Sequence, residues 1–371
     1  MKLGDICKYR SEKTDLNSIK SDEYVSTDNM LPNFGGIGKL KSFPSTEKVS
    51  KFYKNDILLS NIRPYFKKMI IADKESGCSS DVLVIETISS EVISKYLYYR
   101  LRNNDFFDYV VLTSKGTKMP RGDKAAIMNF ELDVPNLDVQ KKIVKILETI
   151  DNKIKINSHI NDNLHKLMKI KFNNYIDNIE EYEESVLSKI ANYKNGLAMQ
   201  KFRPIDEIGL PVIKIKEMNS GISPETERCK SDIEEEVIIN DGDVLFAWSG
   251  TLCMSIWCEG KAGLNQHIFK VTSDKYPKWF YYLWTLKHLD NFIAIAAGKA
   301  TTMGHIKRTE LDKAIVKIPN DKSIKEMDKI FTPMLNKYIN NSIETRNLIK
   351  LRDALLPKLI NGEINLDKID I

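Results

Sequence analysis

The sequence predicts an α+β protein. Two similar globular domains, each with mixed or antiparallel sheets and helices, are joined by two long antiparallel coiled-coil helices in a pseudo-two-fold, circular arrangement. Three observations predict this. MPRGDKAAIMNFELDVPN at Met119 and MGHIKRTELDKAIVKIPN at Met303 align without a gap at an offset of 303 − 119 = 184, which holds through Leu167 and Leu351 and recurs where Leu3, Ile6 and Tyr9 match Leu187, Ile190 and Tyr193. Each copy ends in a long apolar heptad. Each copy begins with the same order of short strand and turn signals. A body made of two copies suits a two-part target, such as two half-sites on DNA.

The globular part of each copy is read from its strands. DILLS at 56–60 and DVLFA at 243–247 follow the turns YKND and INDG, and DVLVIE (81–86) and HIFKV (267–271) are the next apolar runs. SKYLYYRLRNNDFFDYVV (94–111) and PKWFYYLWTLKHLDNFIAIA (277–296) are aromatic-rich and predict helices, each followed by a glycine loop. The next strand closes at Val134-Pro135 in one copy and Ile318-Pro319 in the other, and a proline there biases the chain toward a new element. The long helices follow. Val139, Ile143, Ile146 and Ile150 form a seam that resumes at Ile160, Leu164 and Leu167, with Lys153 and Asn157 as its polar interruptions. The second copy repeats the scheme with Met327, Ile330 and Met334, then Lys337 and Asn341, then Leu348, Leu351 and Leu355. An asparagine in a seam costs stability and fixes register. A helix of about 30 residues would be roughly 45 Å long. Pro333 predicts a kink or a delayed helix start. The boundaries expected are 1–137, 138–178, 179–321 and 322–371, with the last stretch returning to the first domain near Met1.

Composition narrows the function. At 371 residues with a net charge of +5, the chain has a mild basic excess that permits a polyanionic partner. MKLGDICKYR lacks the apolar core of a signal peptide, FIAIAA (292–297) is far too short to span a bilayer, and five cysteines without paired spacing suit a reducing cytoplasm. No membrane partner is expected. FGGIGKL (34–40) lacks the strand and helix context of a nucleotide loop, and no GxxxxGK[ST] motif occurs. Cys253 and Cys258 have no second pair to complete a zinc site. No nucleophile or acid is spaced to serve His267 or His305. A non-catalytic role with no cofactor and no metal in this chain is therefore favoured.

The polar loops are the candidates for nucleic-acid contact. SKGTKMPRGDK (114–124) offers Lys115, Lys118, Arg121 and Lys124; GKATTMGHIKR (298–308) offers Lys299, Thr301, Thr302, His305, Lys307 and Arg308. A second patch follows the repeated strand: Asn61, Arg63, Tyr65, Lys67 and Lys68 in one copy, and Trp248, Ser249 and Thr251 in the other. Asn265, Gln266 and His267 add groups suited to base edges, and Lys214 and Lys216 in KIKEMN form a third patch opposite STDNM (26–30). Basic side chains neutralise phosphates, while amides and hydroxyls reach bases. Each residue taken singly also fits a solvated loop or, for Trp248, a core position. The frame is similar between copies and the loops are not, as two readers of different DNA words require.

LRDALLPKLINGEI (351–364), DGDVLFAWSGT (241–251), GLNQHIFKV (263–271), KIPNDKSIKEMDKI (317–330), NDILLSNIRPYFKK (55–68) and LDVPNLDVQKKIVKILETIDNKI (132–154) resemble the specificity subunit of a Type I restriction-modification system. The resemblance covers nearly the whole chain. It implies two target-recognition domains, each reading half of a bipartite double-stranded DNA site. It further implies long helices that act as spacer and as dock for two methyltransferase (modification) subunits, with restriction/translocase subunits completing the complex. Adenine methylation would use S-adenosylmethionine held by the partner. The rival readings are a coiled-coil interaction scaffold without DNA recognition, and a self-sufficient nuclease or methyltransferase.

Overall fold

The computed structural model describes residues 1–205, 208–298 and 304–366. It divides into two units, one of residues 1–152 and 350–371, the other of residues 153–349. In unit 1, α1 (Leu3–Ile6) leads into strands β1 (Cys7–Tyr9), β2 (Lys13–Asp15), β3 (Lys48–Phe52), β4 (Ile57–Ser60), β5 (Met69–Ile71), β6 (Ser76–Cys78) and β7 (Val82–Thr87). Helices α2 (Ser94–Leu101), α3 (Asn104–Leu112) and α4 (Lys124–Met128) follow, then α5 (Leu137–Asp177). The main sheet is antiparallel in the order β1-β7-β4-β5, and β2-β3-β6 form a smaller one. The aromatic helix predicted over 94–111 is broken in two, because Asn103 leaves the helical conformation and its side chain accepts from the Asn104 amide.

Unit 2 opens with β8 (Tyr182–Val186), α6 (Leu187–Ile190), β9 (Asn192–Asn195), β10 (Leu210–Ile213), α7 (Ile215–Ser220), β11 (Arg228–Cys229) and β12 (Ile238–Ile239). It continues through β13 (Val244–Ala247), β14 (Cys253–Ile256), β15 (Ala262–Leu264), β16 (Ile268–Thr272), α8 (Lys278–Gly298), β17 (Ile315–Pro319) and α9 (Asp321–Ile360). Its main sheet, β9-β16-β13-β14, repeats the strand order of unit 1. A second sheet, β11-β10-β15-β12, is mixed, with β10 and β15 parallel. Strands β17 and β8 pair antiparallel.

Why these residues fold alike in both units is visible at matching positions. Leu3, Ile6, Leu187 and Ile190 are all buried. The helix starts are capped identically: Asn136 Oδ1 accepts from Val139 N at 3.0 Å and Asn320 Oδ1 from Ser323 N at 2.9 Å, just after Pro135 and Pro319. Helix α5 is 41 residues long and α9 is 40, about 60 Å each and longer than the seam alone suggested. The excess length is held by tertiary burial. Met168, Phe172 and Ile176 sink into the core of unit 2, with Phe172 edge-on to Trp279, Trp284 and Phe331. Leu356, at the 184 offset from Phe172, joins the core of unit 1 with Leu359, and the tail follows them: Leu366 is buried there and its carbonyl accepts from Lys142 Nζ at 3.0 Å.

The helices run antiparallel within each unit. In unit 2, Asn341 Nδ2 donates to Asn161 Oδ1 at 3.1 Å and Asn157 Nδ2 to Glu344 Oε2 at 2.8 Å. In unit 1, Arg352 Nη1 donates to Asp151 Oδ1 at 2.9 Å. Asn157 and Asn341 are fully buried, as seam positions require. Lys153 and Lys337 differ: both are exposed, and Lys153 reaches Glu344 at the rim, because a long amphipathic chain can leave a seam while a short amide cannot. The apolar face is broader than the seam: Ile143, Ile150 and Met327 are buried as expected, and neighbouring residues replace others. Leu147, Met168, Phe331 and Leu335 are buried, while Ile330, Leu167 and Leu351 are exposed. Pro333 does not delay α9, which begins at Asp321. The bond lost at proline is outweighed by burial of Met327, Phe331 and Leu335 on either side.

Candidate nucleic-acid interface

In unit 1 the chain leaving β4 meets the loop that precedes α4. Ile62 and Arg121 form an antiparallel bridge. Arg63 N donates to Pro120 O at 2.8 Å, Gly122 N donates to Asn61 O at 3.1 Å, and Lys115 and Arg121 exchange two backbone bonds of 2.9 Å. A Cβ at Gly122 would lie 3.0 Å from Asn61 Oδ1, so glycine permits the close approach. Asn61 is buried, and its Oδ1 has no partner among the described residues. Two of the sequence patches thus become one surface.

The side chains on that surface are distributed unevenly. Arg63, Tyr65, Lys118 and Lys124 are exposed. Arg121 Nη2 lies 3.2 Å from Asp81, and Lys115 Nζ lies 2.5 Å from Asp123. The Lys115 contact, aided by the Ala126 and Ala125 amides, holds the Asp123 carboxyl below its ordinary range. Lys67 donates to Asn104 Oδ1 at 2.7 Å, and Lys68 to Thr27 O at 2.7 Å. Burial pushes the Lys68 amine below its ordinary pKa, and the charges of Arg63 and Lys41 add to that effect while Asp28 opposes it.

Unit 2 builds the same junction from different residues. Ser249 and His305 form the antiparallel bridge. Gly250 N donates to Gly304 O at 2.8 Å and Ile306 N to Trp248 O at 3.1 Å. Trp248 stacks on Phe269 at 5.7 Å and donates its indole N–H to Asn195 Oδ1 at 3.0 Å. His267 lies beside it, with rings 5.8 Å apart. Gln266 Nε2 and His267 Nε2 are 3.3 Å apart, and His267 Nδ1 is buried with no partner among the described residues. Asn265 N donates to Ile213 O at 3.1 Å, which brings the start of α7 to the same place. There Lys214 pairs with Glu227 at 2.5 Å and Lys216 is exposed. Ser249 is buried; Thr251, His305 and Lys307 are exposed; Arg308 donates to Tyr193 O at 3.1 Å. Lys299, Thr301 and Thr302 lie outside the described residues.

Sequence reasoning missed the acidic partners Asp81, Asp123 and Glu227, and the Asn195 amide that orients Trp248. Asp123 carried a signal, since an aspartate before KAAIM is a helix-cap position; the others did not. It also passed over Asn33 and Phe34, whose amides bond to Phe66 O and Lys67 O at 2.8 and 3.1 Å.

A family model described as the Type I restriction modification DNA specificity domain matches residues 1–166 and again residues 179–351. The chain belongs to this family. As a specificity subunit it is similar to the Type I restriction enzyme MjaIX specificity subunit of Methanocaldococcus jannaschii, 23% identical over 309 residues, which is 75% of this chain and 71% of the relative. It is similar to the HindI specificity subunit of Haemophilus influenzae at 20% identity over 452 residues, 98% of each. Its fold matches the crystal structure of a Type I S subunit from M. genitalium with a TM-score of 0.61 at 14% identity, covering 97% of this chain and 95% of that one. Among the described residues of this specificity subunit, no group of three or more His, Cys, Asp or Glu is placed to hold a metal, and no helix is long and apolar enough to cross a membrane. Cys7 and Cys78 have thiols pushed up by burial to about 12, and Cys258 to about 11, the opposite of an activated nucleophile.

Proposed function

We propose that this specificity subunit reads a bipartite, asymmetric DNA site. Residues 1–137 read one word, residues 179–321 read the other, and the spacer helix of 138–178, with the second spacer helix and C-terminal segment of 322–371, sets the gap between them. One observation carries the reading. The Ile62–Arg121 bridge and the Ser249–His305 bridge are the same backbone junction, and each presents side chains that the other lacks. A constant backbone with changed side chains is how one frame serves two sequences. In unit 1, Arg63, Lys118, Arg121 and Lys124 face DNA, with Asn61, Tyr65, Lys67, Lys68 and Lys115 beside them. In unit 2 the reading surface is Trp248, Ser249, Thr251, Gln266, His267, His305 and Lys307 with Lys214 and Lys216; Lys299, Thr301 and Thr302, outside the described residues, are assigned to DNA contact from their sequence alone. Asn157 and Asn341 fix the register of the helices.

The helices also dock two methyltransferase subunits. Ile156, Leu167 and Ile170 are exposed along one stripe of α5, an apolar face that such a partner would cover. The partner holds S-adenosylmethionine and methylates adenine, restriction/translocase subunits join the full complex, and all work in the cytoplasm. Sequencing of modified adenines in cells carrying the chain tests the reading. A two-word site is expected, and replacing residues 1–136 with another such domain should change one word only. Both words changing together would overturn it. A salt titration of duplex binding by the assembled complex separates it from a scaffold role, since phosphate contacts give a steep loss of affinity with salt.

A further inference from the structure

Five non-glycine residues among those described have left-handed backbones: Asn33, Phe34, Asn55, Arg63 and Lys67, with φ from 50° to 72°. Four of them meet in one place. Asn33 N donates to Phe66 O and Phe34 N to Lys67 O, so two strained segments clasp each other. Such conformations are costly and persist only where the surroundings over-determine them. Here they are over-determined. The Phe34 ring is edge-on to Phe107 at 5.4 Å and lies under the Arg102 guanidinium at 4.7 Å. Lys67 and Lys68 are tied to Asn104 and Thr27.

The product of this strain is a rigid turn, Pro64–Phe66, that holds two aromatic rings out in solvent. Tyr65 is 49% exposed and Phe66 37%, with ring centroids 4.7 Å apart. The same turn carries exposed Arg63 and adjoins exposed Lys118 and Arg121, the last paired with Asp81. The corresponding stretch of unit 2, Thr251-Leu252-Cys253, has no aromatic residue. A target with apolar faces inside an anionic shell fits rigid rings ringed by cations, and a duplex is such a target.

We propose that Tyr65 and Phe66 form a wedge that enters the base stack at the half-site read by unit 1, so that this word is selected in part by how readily one base step opens. The proposal rests on the reading of unit 1 as a DNA-recognition domain. Partial unstacking by inserted side chains kinks a duplex and favours deformable steps.

The test uses the full complex with its methyltransferase subunits and a duplex bearing the mapped site. 2-Aminopurine is placed at each position of the unit 1 word in turn. Apart from the adenines that the partner extrudes for methylation, which brighten in either word, binding should brighten one step of the unit 1 word several-fold, while the other probes in the unit 2 word stay dark. Tyr65→Ala with Phe66→Ala should abolish the rise and weaken binding about tenfold or more. A mismatch at that step, which opens it in advance, should restore the lost affinity, and a misfolded variant would not be rescued in this way. Tyr65→Phe should keep the signal. With the methylated adenines set aside, binding with every other position dark, or a rise at the wedge step that survives the double variant, overturns the wedge and leaves the DNA reading standing. Failure of the wild-type complex to discriminate the unit 1 word at all overturns both.

Discussion

Replacing Asp151 with asparagine should loosen unit 1 from its helix outward to its reading loop. Asp151 accepts from Tyr99 Oη at 2.9 Å, Arg102 Nη1 at 3.3 Å and Arg352 Nη1 at 2.9 Å. The side chains of Arg102 and Arg352 are 3% and 12% exposed, and that of Asp151 is 26% exposed. Burial acts to lower the Arg352 pKa, and the bond and charge of Asp151 more than offset it, so that it ends above its ordinary value. The substitution takes the carboxylate from two buried guanidiniums, leaving Arg352 only the exposed Asp353. Breaking a buried pair costs ~3–5 kcal/mol, and the partial hydration of Asp151 places this one near the low end, about 3 kcal/mol. For a unit of this size that lowers the melting temperature by roughly 6–12 °C. Calorimetry of Asp151→Asn against Asp353→Asn gives the comparison. Asp353 also pairs with Arg352, at 2.8 Å, but is 57% exposed, and a surface pair is worth at most about 1 kcal/mol. Because Arg102 lies over Phe34, amide exchange at residues 33–34 and 66–67 should also quicken in Asp151→Asn. An Asp353→Asn shift as large as that of Asp151→Asn would refute the reasoning.

Two further outcomes are expected. Inserting one heptad into α5 and one into α9, near Asn157 and Asn341, adds about 10.5 Å of helix; a map of modified adenines should then show a gap about three base pairs longer at roughly 3.4 Å per pair, with both words unchanged. Stability should also fall in alkali: burial raises the Tyr96 and Tyr281 phenols from 10 to about 12, so the stability they confer is complete below pH 10 and is lost as pH climbs toward 12, and urea midpoints that hold steady through that window would refute it.

What the sequence made legible follows from the range of the forces involved. Strand words, proline-closed strands and helix caps are local signals, and Pro135-Asn136 and Pro319-Asn320 act where they stand. The helix seam was legible in kind and in part of its phase: Ile143, Ile150 and Met327 are buried as expected, while Leu167, Ile330 and Leu351 are not. A heptad written from Val139 selects Ile146 and Leu167, whereas a straight helix turns every 3.6 residues and drifts about 20° per heptad. Over four heptads the drift reaches about 80°, which delivers Met168 rather than Leu167 to the interior. Of the candidate site, the separate loops were legible and their meeting was not. The bridge between Ile62 and Arg121 joins residues far apart in sequence through backbone atoms, which leave no trace in side-chain identity. The clasp at Asn33, Phe34, Arg63 and Lys67 was hidden for a related reason, since only Asn33 belongs to a residue type that favours a left-handed backbone.

That blindness points to why the frame works. Each reading surface is closed by amide-to-carbonyl bonds: Arg63 N to Pro120 O in one unit, Gly250 N to Gly304 O in the other. Bonds of this kind do not depend on which side chains the bridged residues carry. The residues around them, Arg121 in one unit and His305 in the other, can therefore change without dissolving the junction. The buried layer beneath tolerates no such freedom, because Leu3, Ile6, Leu187 and Ile190 are packed at matched positions in both units. A duplicated chain under pressure to recognise new words would vary first where folding is indifferent to side-chain identity, as at Arg121 and His305.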